Sequence, residues 1–262
     1  MKPLSFCIAA LFSFAPLHAA LVEEKITYQD EKGATLEGFH VYDDAVEGKR
    51  PGVLVIHQWL GLTDYEMERS RQLAQLGYNV FAADIYGKGI RPDLPEAGKT
   101  AGTYKNDRAL FRTRLKAGLD WLTQDARTDA NKIAAIGYCF GGTGVLELAR
   151  SGAPVSGVVS FHGGLDAKEG FQAEAGKIPA KVLCLHGAAD PYVKPEEVAA
   201  FDKEMTDAKA DWQLVSYGHA VHSFTQKHAG NDPSKGAAYN ESADLRSWEA
   251  MKAFFVELFG KP

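Results

Sequence analysis

The sequence predicts an α/β fold: a mostly parallel sheet with an N-terminal antiparallel hairpin and helices on both faces. Three observations carry that prediction. Continuous apolar runs of strand length recur at residues 51–57, 133–138, 155–161 and 181–186, as strands buried on both faces require. Segments of helical period lie between them. The third is the stretch Gly137-Tyr138-Cys139-Phe140-Gly141-Gly142, which joins one of those apolar runs directly to a helical segment.

Each element has a local reason. Residues 24–30 and 35–42 alternate around Glu31-Lys32-Gly33 and read as a hairpin. Residues 63–76 form a helix capped by Thr63 or Asp64 and stopped by Gly77. A strand at 78–85 is followed by a Gly- and Pro-rich loop, 86–102, long enough to suggest a functional role. Residues 106–123 place Phe111, Leu115, Leu119 and Leu122 on one helical face. After the strand and helix around Cys139, a mixed excursion at 163–179 separates two further strands. A helix at 195–209, a strand at 212–217 and an amphipathic helix at 244–259 end the chain. That last helix carries Leu245, Trp248, Met251, Phe255 and Leu258.

The first residues differ in kind. Met1-Lys2 is positive, residues 4–17 are apolar but too short to span a bilayer, and Leu17-His18-Ala19-Ala20 offers small residues for cleavage. Residues 1–19 are therefore expected to be a secretory signal, leaving residues 20–262 as a single domain that is secreted, or periplasmic in a bacterium. Cys7 lies too early in the apolar run for lipid attachment, so no membrane anchor is expected in the mature chain. A net charge of −5, with no basic stretch, argues against nucleic acid as a partner. Removing the leader leaves Cys139 and Cys184, expected as two free thiols, because Cys184 lies within an apparent buried strand.

The chemistry concentrates on Cys139. Small residues two before and two after a nucleophile are what a sharp strand-to-helix turn needs, since flanking Cβ atoms would clash there. The pattern is G-x-S-x-G with sulfur in place of oxygen, and a thiol at a helix N-terminus is favoured as thiolate. Ligands of such sheets sit beyond the carboxyl ends of the strands. Those ends supply His57-Gln58-Trp59, Asp84-Ile85-Tyr86, Cys139, His162, Asp190 and His222. Nucleophile, acid and histidine come in the chain order of α/β-hydrolases. His219 competes with His222 as the base. The histidines show no metal-type spacing and no carboxylate cluster, so neither metal nor organic cofactor is expected.

These pieces resemble the dienelactone hydrolase (carboxymethylenebutenolidase) family of α/β-hydrolases over essentially all of residues 20–262. The resemblance rests on Val55-Ile-His-Gln-Trp-Leu-Gly-Leu62, Ala83-Asp-Ile-Tyr86, Gly137-Tyr-Cys-Phe-Gly-Gly142, His186-Gly-Ala-Ala-Asp-Pro191 and His222-Ser-Phe224. It implies the α/β-hydrolase fold and a small ester or lactone substrate. It also implies Cys139 as nucleophile, His222 as base and Asp190 as its orienter, with the backbone N–H groups of Trp59 and Phe140 as oxyanion hole. Gln58 stands where the family carries a glutamate beside the thiol. Lys88 and Gln226 stand where it carries two carboxylate-binding arginines, and a bidentate fork is not replaced by either. With Tyr86, His162 and Phe224, these three residues are expected to line an altered substrate site. Two other readings use the same residues: a binding or redox-sensing protein on this scaffold, and a thioesterase or peptidase.

Overall fold

The computed structural model describes residues 21–260; the expected signal at 1–19 lies outside the described residues. The hairpin is β1 (Leu21–Gln29) and β2 (Thr35–Asp43). There follow β3 (Arg50–Ile56), α1 (Asp64–Gln75), β4 (Asn79–Ala83), α2 (Leu94–Asn106), α3 (Arg108–Gln124), β5 (Thr128–Tyr138) and α4 (Phe140–Arg150). The chain continues through β6 (Gly157–Phe161), β7 (Lys181–Gly187), α5 (Pro195–Asp207), β8 (Trp212–Tyr217) and α6 (Glu241–Phe259). The strands form one sheet in the order β1-β2-β4-β3-β5-β6-β7-β8. Pairing is antiparallel for β1/β2 and β2/β4 and parallel from β4 to β8.

Alternation along β3 shows how the sheet is covered. Leu54 and Ile56 join a core with Phe111, Leu115, Val145 and Phe201, from α3, α4 and α5. Val53 and Val55 join the opposite core with Leu73, Met251 and Phe255, from α1 and α6. Both faces are buried, which is why the central strands read as unbroken apolar runs.

Two expectations need correction. The stretch expected as a loop at 86–102 contains most of α2, which starts at an Asp93 cap with Pro95 in its first turn. Those are ordinary helix-start signals, but Gly98 and Gly102 weaken the helical pattern. In the closing helix Leu245 does not join the buried face; it is 61% exposed, whereas Met251 and Phe255 are buried. That helix also starts earlier than expected, because the Asn240 side chain accepts from Ala243 N–H and caps it.

Candidate active site

The turn between β5 and α4 places Cys139. Its φ of 54° and ψ of −113° hold it in a strained conformation between strand and helix. A Cβ on Gly137 would lie 2.0 Å from the Gly141 carbonyl oxygen, and one on Gly141 would lie 2.2 Å from that of Ile56. The glycines are therefore required by close backbone approach. The start of α4 is pressed against the end of β3, and this brings the Phe140 peptide beside the loop that carries Trp59.

Beyond β7 and β8, two loops complete a continuous hydrogen-bonded chain. His222 Nε2 lies 3.0 Å from Cys139 Sγ, and its Nδ1 lies 2.8 Å from Asp190 Oδ2. The other oxygen, Asp190 Oδ1, accepts from Tyr192 N–H at 2.8 Å, so the carboxylate is fixed at both ends. His219 is exposed at the turn after β8, so the contact with the thiol falls to His222. Burial pushes the Cys139 thiol up, but the His222 charge and hydrogen bond, the Phe140 N–H and the Lys105 ammonium together bring it below the ordinary thiol range. Burial pulls His222 down, but the Cys139 thiolate and Asp190 outweigh it and hold the imidazole well above its usual value. Both directions favour a thiolate–imidazolium pair. Cys184 is free but buried in β7, and burial pushes its thiol up to about 12. The two thiols are thus shifted in opposite directions.

The expected oxyanion donors, Phe140 and Trp59, are both free of backbone acceptors. Phe140 is the first residue of α4, so its N–H has no intrahelical acceptor. In the loop after β3, Gln58 N–H donates to Glu66 Oε1, Leu60 N–H to Gln58 Oε1 and Gly61 N–H to the Gln58 carbonyl. Among the described residues, Trp59 N–H makes no hydrogen bond, and neither do the N–H groups of His57 and Leu62 in the same loop. The Trp59 carbonyl accepts from Tyr86 Oη at 2.9 Å, which fixes the orientation of the following peptide.

Glu66 was not singled out by sequence, although Thr63-x-x-Glu66 is a capping-box signature. Its carboxylate is fully buried and accepts from Thr63 N–H and Oγ1 as well as from Gln58 N–H. Burial raises its pKa, against those hydrogen bonds. Glu66→Gln is expected to turn an amide against one of these donors, costing about 1–3 kcal/mol in stability. A loosened Trp59 loop should lower kcat with little change in KM; steady-state kinetics beside thermal melting would show whether the two losses occur together.

Several residues expected to line a substrate site pack inside the protein. Tyr86, His162 and Phe224 are buried and present no open face. Tyr86 supports Trp59, and Phe224 packs its ring against His162. His162 accepts from Cys139 N–H through Nδ1 at 3.2 Å, and its Nε2 meets Thr225 Oγ1 at 2.8 Å, which in turn meets Tyr65 Oη. Burial and the neighbouring His222 charge push His162 well below its usual pKa, so it is a neutral brace for the turn. His57 is likewise a buried neutral residue: it is bonded to the Gln58 carbonyl and Ile85 N–H, and burial pulls it down to about 4.

Lys88 is not brought to the thiol. Its ammonium binds Thr27 and Glu37 on the hairpin, because the Lys88 N–H donates to the Thr35 carbonyl and ties this loop to β2. Gln58 and Gln226 are both buried with the Nε2 atom unpartnered. Two aromatic side chains on the loops that carry site residues are exposed instead. Trp59 is 39% exposed, and Tyr192, 61% exposed, packs edge-on against the His222 ring. No group of three or more His, Cys, Asp or Glu residues gathers in a metal-binding arrangement among the described residues.

Residues 36–259 match the model of the dienelactone hydrolase family. The chain belongs to that family. It is accordingly an enzyme of the carboxylic ester and lactone hydrolase class. A dienelactone hydrolase-like promiscuous phosphotriesterase from metagenomic libraries is 43% identical, covering 92% of this chain and 100% of its own, with a TM-score of 0.87. A Bradyrhizobium protein described as a probable 2-oxo-3-(5-oxofuran-2-ylidene)propanoate lactonase is 28% identical over 218 residues, 78% of this chain and 86% of its own. Dienelactone hydrolase from Anabaena variabilis shares the fold at a TM-score of 0.62 and 21% identity, over 88% of this chain and 98% of its own.

Proposed function

We propose that this dienelactone hydrolase family member cleaves small esters or lactones through an acyl-cysteine intermediate. The observation that carries the reading is the unbroken contact from Cys139 Sγ through His222 to Asp190, at 3.0 and 2.8 Å. The thiolate attacks the acyl carbon, and the developing oxyanion is held by the N–H groups of Trp59 and Phe140. Collapse of the tetrahedral intermediate expels the alcohol oxygen, which takes the proton of the His222 imidazolium. His222 then removes a proton from water, which attacks the thioester. The acid leaves, the sulfur is released as thiolate, and His222 ends as imidazolium.

The substrate site is altered from the family pattern. Gln58 cannot take the thiol proton as a glutamate would, so His222 carries that task alone. Gln226 is neutral, and Lys88 is held by the hairpin. Trp59 and Tyr192 supply the aromatic walls, suited to aryl or enol esters, whose stabilised leaving groups compensate for thiolate being a good leaving group itself. We further propose a single domain at residues 20–262, exported by the leader at 1–19.

The test is kcat/KM for aryl acetates and five-membered lactones in the native enzyme, Cys139→Ala and Cys184→Ala. Cys139→Ala should lose at least about 10³-fold, while Cys184→Ala should retain the activity of whatever fraction folds. Equal activity in Cys139→Ala and the native enzyme would refute the proposal. A second reading, phosphotriester hydrolysis by the same thiol, is favoured by the 43% identical phosphotriesterase. An aryl dialkyl phosphate in the same panel tests it.

A further inference from the structure

Three non-glycine residues with positive φ meet in one place: Cys139 at 54°, His162 at 42° and Ser223 at 57°. They lie beyond the ends of β5, β6 and β8. Strain of this kind persists only where the surroundings over-determine the backbone, and the His162 ring is what the three turns share. Its Nδ1 accepts from Cys139 N–H at 3.2 Å, and the same N–H also donates to the Phe161 carbonyl at 3.0 Å. Its centroid lies 5.3 Å from that of the His222 ring and 5.1 Å from that of Phe224. Its Nε2 meets Thr225 Oγ1 at 2.8 Å, on the segment that follows Ser223.

These bonds leave one tautomer. Because Nδ1 accepts, the proton of the neutral ring sits on Nε2, which donates to Thr225 Oγ1. The opposite tautomer would set Nδ1–H against Cys139 N–H, donor against donor. What favours the first form is the Thr225 hydroxyl, which is buried and meets Tyr65 Oη at 2.7 Å. Tyr65 stands in the first turn of α1. One turn further along, Arg69 donates to the Thr225 carbonyl at 3.1 Å and is paired with Asp244 of α6. Two helices that carry none of Cys139, Asp190 and His222 therefore fix Thr225, and its hydroxyl fixes His162.

We propose that Thr225 and Tyr65 are positioning residues: the Thr225 hydroxyl, oriented by Tyr65, selects the Nε2–H tautomer of His162, and that ring sets the Cys139 turn against the His222 loop. The inference rests on Cys139 and His222 being the reacting pair. Both residues act through His162 and not on the sulfur itself. Their effect is to keep Cys139 Sγ and His222 Nε2 at the 3.0 Å contact that proton transfer requires.

The test joins the imidazole nitrogen NMR spectrum to steady-state kinetics on p-nitrophenyl acetate. Native enzyme, Thr225→Val, Thr225→Ser and Tyr65→Phe are compared, with thermal melting to establish folding. Native His162 should show a bare Nδ1 and a protonated Nε2. Thr225→Val keeps the shape but removes the hydroxyl, so His162 should become a mixture of tautomers. Its kcat should fall about tenfold, the rate equivalent of one lost hydrogen bond, with KM unchanged. Thr225→Ser should restore the tautomer and most of kcat, and Tyr65→Phe should move both in the direction of Thr225→Val by less. A native tautomer with native kcat in folded Thr225→Val would overturn the proposal; if that variant does not fold, the same result in Tyr65→Phe would overturn it. So would a Thr225→Ser enzyme no better than Thr225→Val. Turnover that persists in Cys139→Ala would instead overturn the reading of the reacting pair, and this proposal with it.

Discussion

Asp190→Asn is expected to lower kcat about 10⁴-fold while leaving the fold intact. The Asp190 side chain is fully buried, with Oδ2 on His222 Nδ1 and Oδ1 on Tyr192 N–H. Asparagine can keep its oxygen on Tyr192 N–H, which turns its amide NH₂ towards His222. Nδ1 must then accept, the ring proton moves to Nε2, and the imidazole presents N–H to the sulfur where it needs a lone pair. The same change removes the charge that holds the imidazolium. Native Cys139 should react with iodoacetamide below the ordinary thiol range, because its pKa is lowered. Thiolate exists only above that lowered value, so reactivity should fall off on the acid side. In Asp190→Asn the acid limb should move upward in pH. A variant with less than tenfold loss in kcat and an unmoved limb would show that His222 does not depend on Asp190.

Gly141→Ala tests the turn itself. The added Cβ would sit 2.2 Å from the Ile56 carbonyl oxygen and 2.7 Å from that of His57. Both are backbone atoms at the end of β3 and cannot swing aside as a flexible side-chain tip could. The cost should reach or exceed the upper end of the about 1–3 kcal/mol seen for overpacking, a fall in Tm of roughly 6–12 °C for a chain of this size. Because the displaced segments carry Phe140 on one side and the Trp59 loop on the other, kcat should also fall in whatever folds. A variant with native Tm and native kcat would mean that the turn tolerates a spacing the present geometry forbids.

The turn around Cys139 was legible because its requirements are local. Gly137, Gly141 and Gly142 surround Cys139 within a few residues, and an apolar strand precedes them. Asp190 and His222 were legible for a related reason: each follows a recognisable strand, and parallel strands deliver their ends to one edge. The substrate wall was not. Whether Tyr86 faces a ligand or supports Trp59 depends on a hydrogen bond to a residue 27 positions away. His162 braces the turn through Thr225, 63 positions on, and Thr225 meets Tyr65, 160 positions back. No periodicity reports such contacts. The contacts of Lys88 were not legible because the hairpin residues that hold it, Thr27 and Glu37, lie in strands whose register against this loop is a tertiary fact. Glu66 was readable only in part. The capping box at Thr63 marks Glu66, but its second bond, to Gln58 N–H, makes it matter to the site.

The central claim is that Cys139 carries the acyl group. Intact-mass spectrometry within the first turnovers on p-nitrophenyl acetate tests it most directly, with native enzyme beside Cys139→Ala and peptide mapping of any adduct. A single acetyl group on Cys139 is expected, or turnover so fast that the adduct appears only on acid quenching, with neither seen in Cys139→Ala. Acetylation of Cys184, or turnover that persists in Cys139→Ala, would contradict it.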